Sequence, residues 1–284
     1  MRQLVARIAR VPGIRPLGRI AIRSAEAIQF QMLRRSSGLM VPPTIARPTA
    51  IEMFRGTFEP ETVALLRTLL ALGDLFVDVG ANIGYFSRLG ATLVGPAGMV
   101  CAVEPEPENF ASLAANTRGL PQVLACQLAL SDRDGVAQLL LSSHASSHSL
   151  VANGHYLDSG ARGVLALRYD TLAALLDRQG PAVVKLDIEG AEPLALAGME
   201  RALASGAVRQ IICEYGPALL ERAGFAPTAI WELLTPHVRL RPIDPPPGIS
   251  ASRDLDADGF ARLTERLLAS QRVAVVNLWG RREP

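Results

Sequence analysis

The sequence predicts an α/β fold, an open and mostly parallel sheet with helices on both faces. Three observations carry this. From about residue 58 helical and strand patterns alternate, the order that builds a parallel sheet with covered faces. The stretch Phe76-Val77-Asp78-Val79-Gly80-Ala81-Asn82-Ile83-Gly84-Tyr85-Phe86 reads as an apolar strand, a tight glycine turn and the opening of a helix. Four apolar runs close on an acid, at Asp78, Glu104, Asp187 and Glu214, which would line carboxylates along one edge of the sheet.

The elements follow in order. Residues 17–33 form an amphipathic helix, with Leu17, Ile20, Ala21, Ile28 and Met32 on one face and Phe30 off the pattern. The proline-rich run 38–50 reads as a linker. A helix over Glu61–Leu72 precedes the strand Leu75–Val79. The second strand, Met99–Val103, is followed by a helix over Asn109–Asn116. The third, Leu124–Leu130, leads to a polar hairpin and a Ser/His loop, Ser142–Ser149. The fourth, Ala182–Leu186, leads into one helix over Ala191–Ser205, and the fifth is Gln210–Cys213. A helix over Pro227–Leu234, an extended run Val238–Ile243, a helix over Asp256–Ala269 and a last strand, Arg272–Trp279, complete the chain. At 284 residues one core plus an extension is expected: residues 1–50 as basic extension and linker, 51–284 as the main domain.

Charge is unevenly spread. Residues 1–50 hold nine Arg against the single acid Glu26, while the remainder is mildly acidic. The N-terminal helix could therefore pack on the domain or meet an anionic membrane surface. No apolar run approaches the ~20 residues that span a bilayer, and no signal-peptide core is visible. Cys101, Cys126 and Cys213 lie far apart in strand-like runs and read as core thiols of a reducing compartment, so a cytoplasmic protein is expected. Trp231 and Trp279 read as packing residues, and nothing points to nucleic acid.

The turn has the pattern D-x-G-x-x-x-G rather than the dinucleotide G-x-G-x-x-G. Asp78 would repel a pyrophosphate but suits a ligand with a cationic amine, as the methionine half of S-adenosylmethionine is. Glu104 lies 26 residues further on, room for one helix and a return strand, so the two acids fall at neighbouring strand ends. There Glu104 can accept both hydrogen bonds of a ribose diol.

With these residues stated, a resemblance becomes specific. From about Thr57 to the C-terminus the chain resembles the FkbM family of S-adenosylmethionine-dependent methyltransferases. FEPETVALLRTLLALGDLFVDVGANIGYFS, AVEPEPENFASLAAN, ALSDRDG, SSHSL and VKLDIEGAE carry the likeness over about four fifths of the sequence. It implies a class I methyltransferase (Rossmann-like) fold, seven strands with one antiparallel, and O-methylation of small or glycan-like acceptors. It also implies that Asp78, Gly80, Asn82 and Gly84 line the methionine and ribose side of the cofactor, that Glu104 holds the ribose, and that Ser131 and Asp132 meet the adenine. Glu59 becomes a candidate for the methionine end.

Lys185-Leu186-Asp187-Ile188-Glu189-Gly190-Ala191-Glu192 crowds three acids at one strand end, which calls for something cationic or hydroxylated among them. Asp187 fits a general base or orienting group for the attacking hydroxyl, or equally a helix N-cap. Glu189 and Glu214 are candidate acceptor contacts, and Lys185, inside the strand pattern, either reaches past the edge or pairs with an acid, with Glu214 within reach. His148, in the Ser/His loop, is a candidate base near neutral pH. His144 and His148 lack a third zinc ligand, and Asp187 with Glu214 could hold Mg²⁺, but nothing demands a metal and none is expected. His155 and His237 have no supporting context. The expected function is O-methylation of a sugar, glycan or glycolipid intermediate, or secondary metabolite. A nicotinamide-dependent oxidoreductase and a non-catalytic docking module are the rivals. Acceptor identity and oligomeric state are not legible.

Overall fold

The computed structural model describes residues 27–142, 147–152, 160–176, 180–270 and 273–282. His144, His155, Arg272 and the part of the N-terminal helix before residue 27 lie outside them. Among the described residues there are ten strands: β1 (Leu75–Val79), β2 (Met99–Val103), β3 (Val123–Cys126), β4 (Ala129–Leu130), β5 (Gly135–Leu140), β6 (Ala161–Leu167), β7 (Ala182–Leu186), β8 (Val208–Tyr215), β9 (Arg239–Ile243) and β10 (Val276–Arg281). Seven of them make one sheet in the order β3-β2-β1-β7-β8-β10-β9. Every neighbouring pair from β3 to β8 is parallel, and β10 runs antiparallel to both β8 and β9. The seven strands and single antiparallel strand agree with expectation. β4, β5 and β6 form a small second sheet.

β1 and β7 are buried on both faces, which is why LFVDV and AVVKL show no alternation. Val77, Val79, Val184 and Leu186 face one apolar layer; Phe76, Val183 and Ile212 face the other, under the helices Pro60–Leu69 and Tyr85–Val94. Cys101 and Cys213 are buried and Cys126 half-buried, all three as free thiols, with the Sγ atoms of Cys101 and Cys126 3.9 Å apart. Trp231 stacks on Phe260, and Trp279 donates from Nε1 to Gln210.

Several boundaries differ from the sequence reading. The third strand is two. Glu104 N–H takes the Cys126 carbonyl, but the next amide along that edge, Glu106 N–H, turns back onto the Glu104 carboxylate. With no further rung on offer, the chain leaves the large sheet and Ala129–Leu130 pairs with β6. The helix expected over 191–205 breaks into Glu192–Ala197 and Glu200–Ser205. A Cβ on Gly198 would lie 2.1 Å from the Ser131 carbonyl oxygen, so the backbones touch there. Asp170 caps the second piece, its carboxylate accepting from Arg201 and Ala202 N–H at 3.1 and 3.0 Å. β6 and the helices Tyr169–Leu176 and Pro217–Arg222 lie where no element was expected.

The N-terminal face also turns. Residues 27–37 are helical, but Ile28 and Met32 are 57% and 66% exposed, while Phe30 and Leu33 pack inward. Phe30 meets Phe54 edge-to-face at 5.4 Å, and ring area outweighs the aliphatic stripe. Within the stretch read as linker, Leu39, Ile45 and Ala50 are buried beside Ile83 of the glycine turn, and a helix already begins at Arg47. Asn116 fixes this packing. Its Oδ1 accepts from Met40 N–H at 2.7 Å, and its Nδ2 donates to the Met40 and Ile83 carbonyls at 2.9 and 2.8 Å.

Candidate active site

The site is built around the end of β1. Gly80 has φ 78°, and both Gly80 and Ala81 donate to the Val103 carbonyl at 3.0 Å. A Cβ on Gly80 would sit 1.8 Å from the carbonyl oxygen of Asp187. The glycine thus permits the ends of β1 and β7 to touch, a constraint of the protein on itself before any ligand enters. Asn82 follows in a left-handed conformation, and its N–H donates to Glu104 Oε2 at 2.9 Å. Glu104 Oε1 accepts from Glu106 N–H at the same distance. Burial outweighs these bonds and pushes the Glu104 carboxyl up to about 7.

Asp78 and Gly84 stand behind the turn rather than at the cavity. Asp78 is 1% exposed and accepts from Ser87 Oγ at 2.6 Å; burial raises its carboxyl, with Lys185 pulling the other way. Gly84 is buried against Leu113. Asp78 therefore anchors the helix Tyr85–Val94 to β1.

At the end of β7, Lys185 is 2% exposed and its Nζ lies 2.7 Å from Asp187 Oδ2 and 4.6 Å from the centre of the Phe86 ring. Burial alone would lower the ammonium; Asp187, Glu59 and Asp78 together outweigh that and hold it above its ordinary range. Of the two alternatives open for this lysine it takes the ion pair, and its partner is Asp187, two residues away, not Glu214. The Asp187 carboxylate is no N-cap either. The following helix starts at Glu192, and its N-cap Ala191 makes no side-chain cap bond. The loop amides of Ile188 and Gly190 are taken instead by Glu192 Oε1, at 2.9 and 3.3 Å. Glu189, at φ 58°, is pushed up to about 8 by burial and then by Asp187 and Glu192; burial raises Glu192 to about 7.

Glu214 lies off the main cavity, opposite Asn277 in the β8–β10 ladder, and burial with Asp187 nearby raises its carboxyl far above the usual range. Asn277 Nδ2 donates to Glu59 Oε2 at 3.0 Å, which brings Glu59 to the same corner. Among the described residues no group of His, Cys, Asp and Glu has the arrangement of a metal site.

These raised carboxyls set a pH dependence. Between roughly pH 4.5 and 7 folded Glu104 keeps a proton that the unfolded chain has released, and Glu189 extends the window to about 8. The fold then binds more protons than the unfolded chain, so stability falls as pH rises. The unliganded protein is expected to melt at a higher temperature at pH 5 than at pH 8 in thermal scans; a midpoint that climbs across that window would contradict the assignment.

A cleft open to solvent runs from Gly80 and Glu104 to Asp187 and Glu189, walled by Leu130 and His148 among others. His148 is brought to it, but not as a free base. Its Nδ1 accepts from Ser142 N–H at 3.0 Å, so the proton sits on Nε2, which can only donate. Burial lowers the imidazole below its ordinary range and favours this neutral form. Ser131 and Asp132 lie outside the cleft wall. Ser131 Oγ donates to Asp132 Oδ1 at 3.0 Å, and Asp132 pairs with Arg133 at 3.2 Å. Ser149, a candidate acceptor contact in the Ser/His loop, does line the cleft; the wall the sequence reading missed is Leu139, Leu150 and Asn109. Leucines in strand-like runs read as core, so no signal marked them.

The model of the methyltransferase FkbM domain family matches residues 78–240, from Asp78 into β9. The hexuronic acid methyltransferase AglP of Haloferax volcanii is 29% identical over 220 residues, 76% of this chain and 84% of that protein. The 31-O-demethyl-FK506 methyltransferase FkbM of Streptomyces tacrolimicus is 33% identical over 171 residues, 50% of this chain and 65% of that protein. A solved methyltransferase FkbM from Methylobacillus flagellatus KT superposes with a TM-score of 0.44 at 14% identity, over 92% of this chain and 60% of that one. The sheet has the class I methyltransferase arrangement, and the chain belongs to the FkbM domain family of S-adenosylmethionine-dependent methyltransferases.

Proposed function

We propose that the protein methylates a hydroxyl of a sugar, a glycan or glycolipid intermediate, or a secondary metabolite. The observation that carries this is Asp187, an acid held by the buried Lys185 ammonium at 2.7 Å where β7 meets the glycine turn. The two relatives, one named for a hexuronic acid and one for 31-O-demethyl-FK506, lend support.

S-adenosylmethionine supplies an activated methyl group and a neutral leaving group. Since the carbon is already activated, the chain's main task is to align acceptor and donor. Gly80, Asn82 and Glu104 border the donor, with Asp78 and Gly84 bracing the turn from behind. Asp187 accepts the acceptor's hydroxyl hydrogen bond and takes the proton as the oxygen attacks. Glu189 is placed to meet further acceptor hydroxyls, and Glu214 with Glu59 borders the outer corner. In this reading residues 51–284, with the segment packed on them from Leu39, make the catalytic domain, and the basic charge of the N-terminal extension serves peripheral contact of a cytoplasmic protein with an anionic membrane surface. Among the described residues no helix is long and apolar enough to cross a membrane.

Glu104→Ala is expected to weaken S-adenosylhomocysteine binding by about 1–3 kcal/mol, read by calorimetry, through loss of charge-assisted bonds to a diol. Unchanged affinity would remove Glu104 from the ribose. The function itself is tested by incubating the protein with methyl-labelled cofactor and fractionated cell-envelope glycans and metabolites. Label in an ether-linked methyl supports the proposal, and label on carbon or nitrogen overturns it.

A further inference from the structure

We infer that the strap formed by residues 147–150, with His148 at its centre, receives the purine nucleoside end of the cofactor and helps determine cofactor specificity. The inference rests on the cleft being the cofactor site, as proposed above, and adds a recognition element to it.

The strap is fixed to β5. Leu140 N–H donates to the Ser149 carbonyl at 2.8 Å and Ser149 N–H to the Leu140 carbonyl at 3.2 Å, an isolated antiparallel bridge. Ser149 is buried and its Oγ accepts from Val151 N–H, so the strap is closed at its far end too. This pairing brings His148, Ser149 and Leu150 into the wall of the cleft that Glu104 and Asn109 also line. The charged groups that act on the imidazole are Glu106, Glu108 and Arg162. Glu106 and Glu108 lie within four residues of Glu104 in the chain, which associates His148 with the Glu104 side of the cleft.

Its chemistry suits a nucleoside. With Nδ1 held by Ser142 N–H, the ring offers one N–H donor, and a purine offers ring-nitrogen acceptors to such a donor. Leu130, Leu139 and Leu150 supply the apolar wall a flat ring needs. The residues expected at the adenine have other partners. Ser131 bonds its neighbour Asp132, and Asp132 faces Arg133 in a separate surface cleft with Val136 and Gln138.

The test is calorimetry on the full chain with two probes, S-adenosylhomocysteine and 5′-methylthioadenosine, the second lacking the amino-acid end. His148→Ala is expected to weaken both at least tenfold and by the same factor. His148→Gln, whose amide N–H reaches about as far as Nε2, is expected to stay within threefold of the parent for both. Thermal scans of each variant establish that it is folded. Parent-like binding of both probes by His148→Ala overturns the inference, as does a loss confined to S-adenosylhomocysteine, which would place His148 at the amino-acid end. If the parent protein binds neither probe, the cofactor reading of the cleft falls, a result distinct from either outcome at His148.

Discussion

Lys185→Met is expected to cost about 3–5 kcal/mol of stability at pH 8 and much less at pH 5. The ammonium is the shared counter-charge of Asp187, Asp78 and Glu59, in a site where it is 2% exposed. Burial raises the carboxyls of Asp78 and Glu59, and in each case Lys185 pulls back down. Remove the cation and these acids must hold protons in the fold that they release when unfolded. That cost begins near pH 4 to 4.5, their ordinary range, and grows as pH rises. In the parent that loss is smaller, because Lys185 offsets part of the effect of burial at each acid. The Lys185 ammonium lies above its ordinary value near 10.5, so its contribution is fully present below that pH and fades only above it. Urea denaturation of parent and variant at the two pH values reads the difference directly. An equal deficit at both would mean that the lysine matters for its packing on Phe86 and not for its charge.

The second large effect is at Gly80. Gly80→Ala combines a left-handed backbone with a Cβ 1.8 Å from the Asp187 carbonyl oxygen, so either β1 or β7 must shift at its end. A loss above about 4 kcal/mol is expected, together with loss of S-adenosylhomocysteine binding, because Glu104 and Asp187 are both positioned from this contact. Gly119→Ala is the control. Gly119 has φ 85° but nothing within 4 Å of an added Cβ, so only the backbone cost of about 1–2 kcal/mol applies. The gap between the two variants isolates the collision. If Gly80→Ala is no worse than Gly119→Ala, the contact between the strand ends does not constrain this position.

What could be read from the sequence follows from what is periodic or charged. The β1 and β7 spans were legible because an apolar run that stops at an acid fits a buried strand reaching the sheet edge and little else, and the distance from Asp78 to Glu104 placed two strand ends side by side. The family likeness rests on those motifs, and with it the nicotinamide rival falls. Local spacing could not show which atoms touch. Gly80 reads as an opening toward a ligand, yet its nearest neighbour is the protein's own Asp187 carbonyl. His148 reads as a base until Ser142 N–H is seen at its Nδ1, a contact between residues that no pattern ties together. Lys185 has two acids in reach of a strand end, and only the fold selects Asp187. At the N-terminus a helical projection favours Ile28 and Met32, whereas Phe54 and Ile83, distant in sequence, draw in Phe30 and Leu33.

Asn116 bears on where the protein can be cut. Its amide holds Met40 with one hand and Ile83, in the middle of the glycine turn, with the other, while Leu39, Ile45 and Phe54 cover Ile83 from outside. A chain begun at residue 51 would uncover Ile83 and leave Asn116 with idle groups at the back of the turn that carries Gly80 and Asn82. Residues 39–54 are thus the rear wall of the glycine turn. In a truncation or a graft onto another leader, the join belongs before Gly38, even though the family model matches only from Asp78.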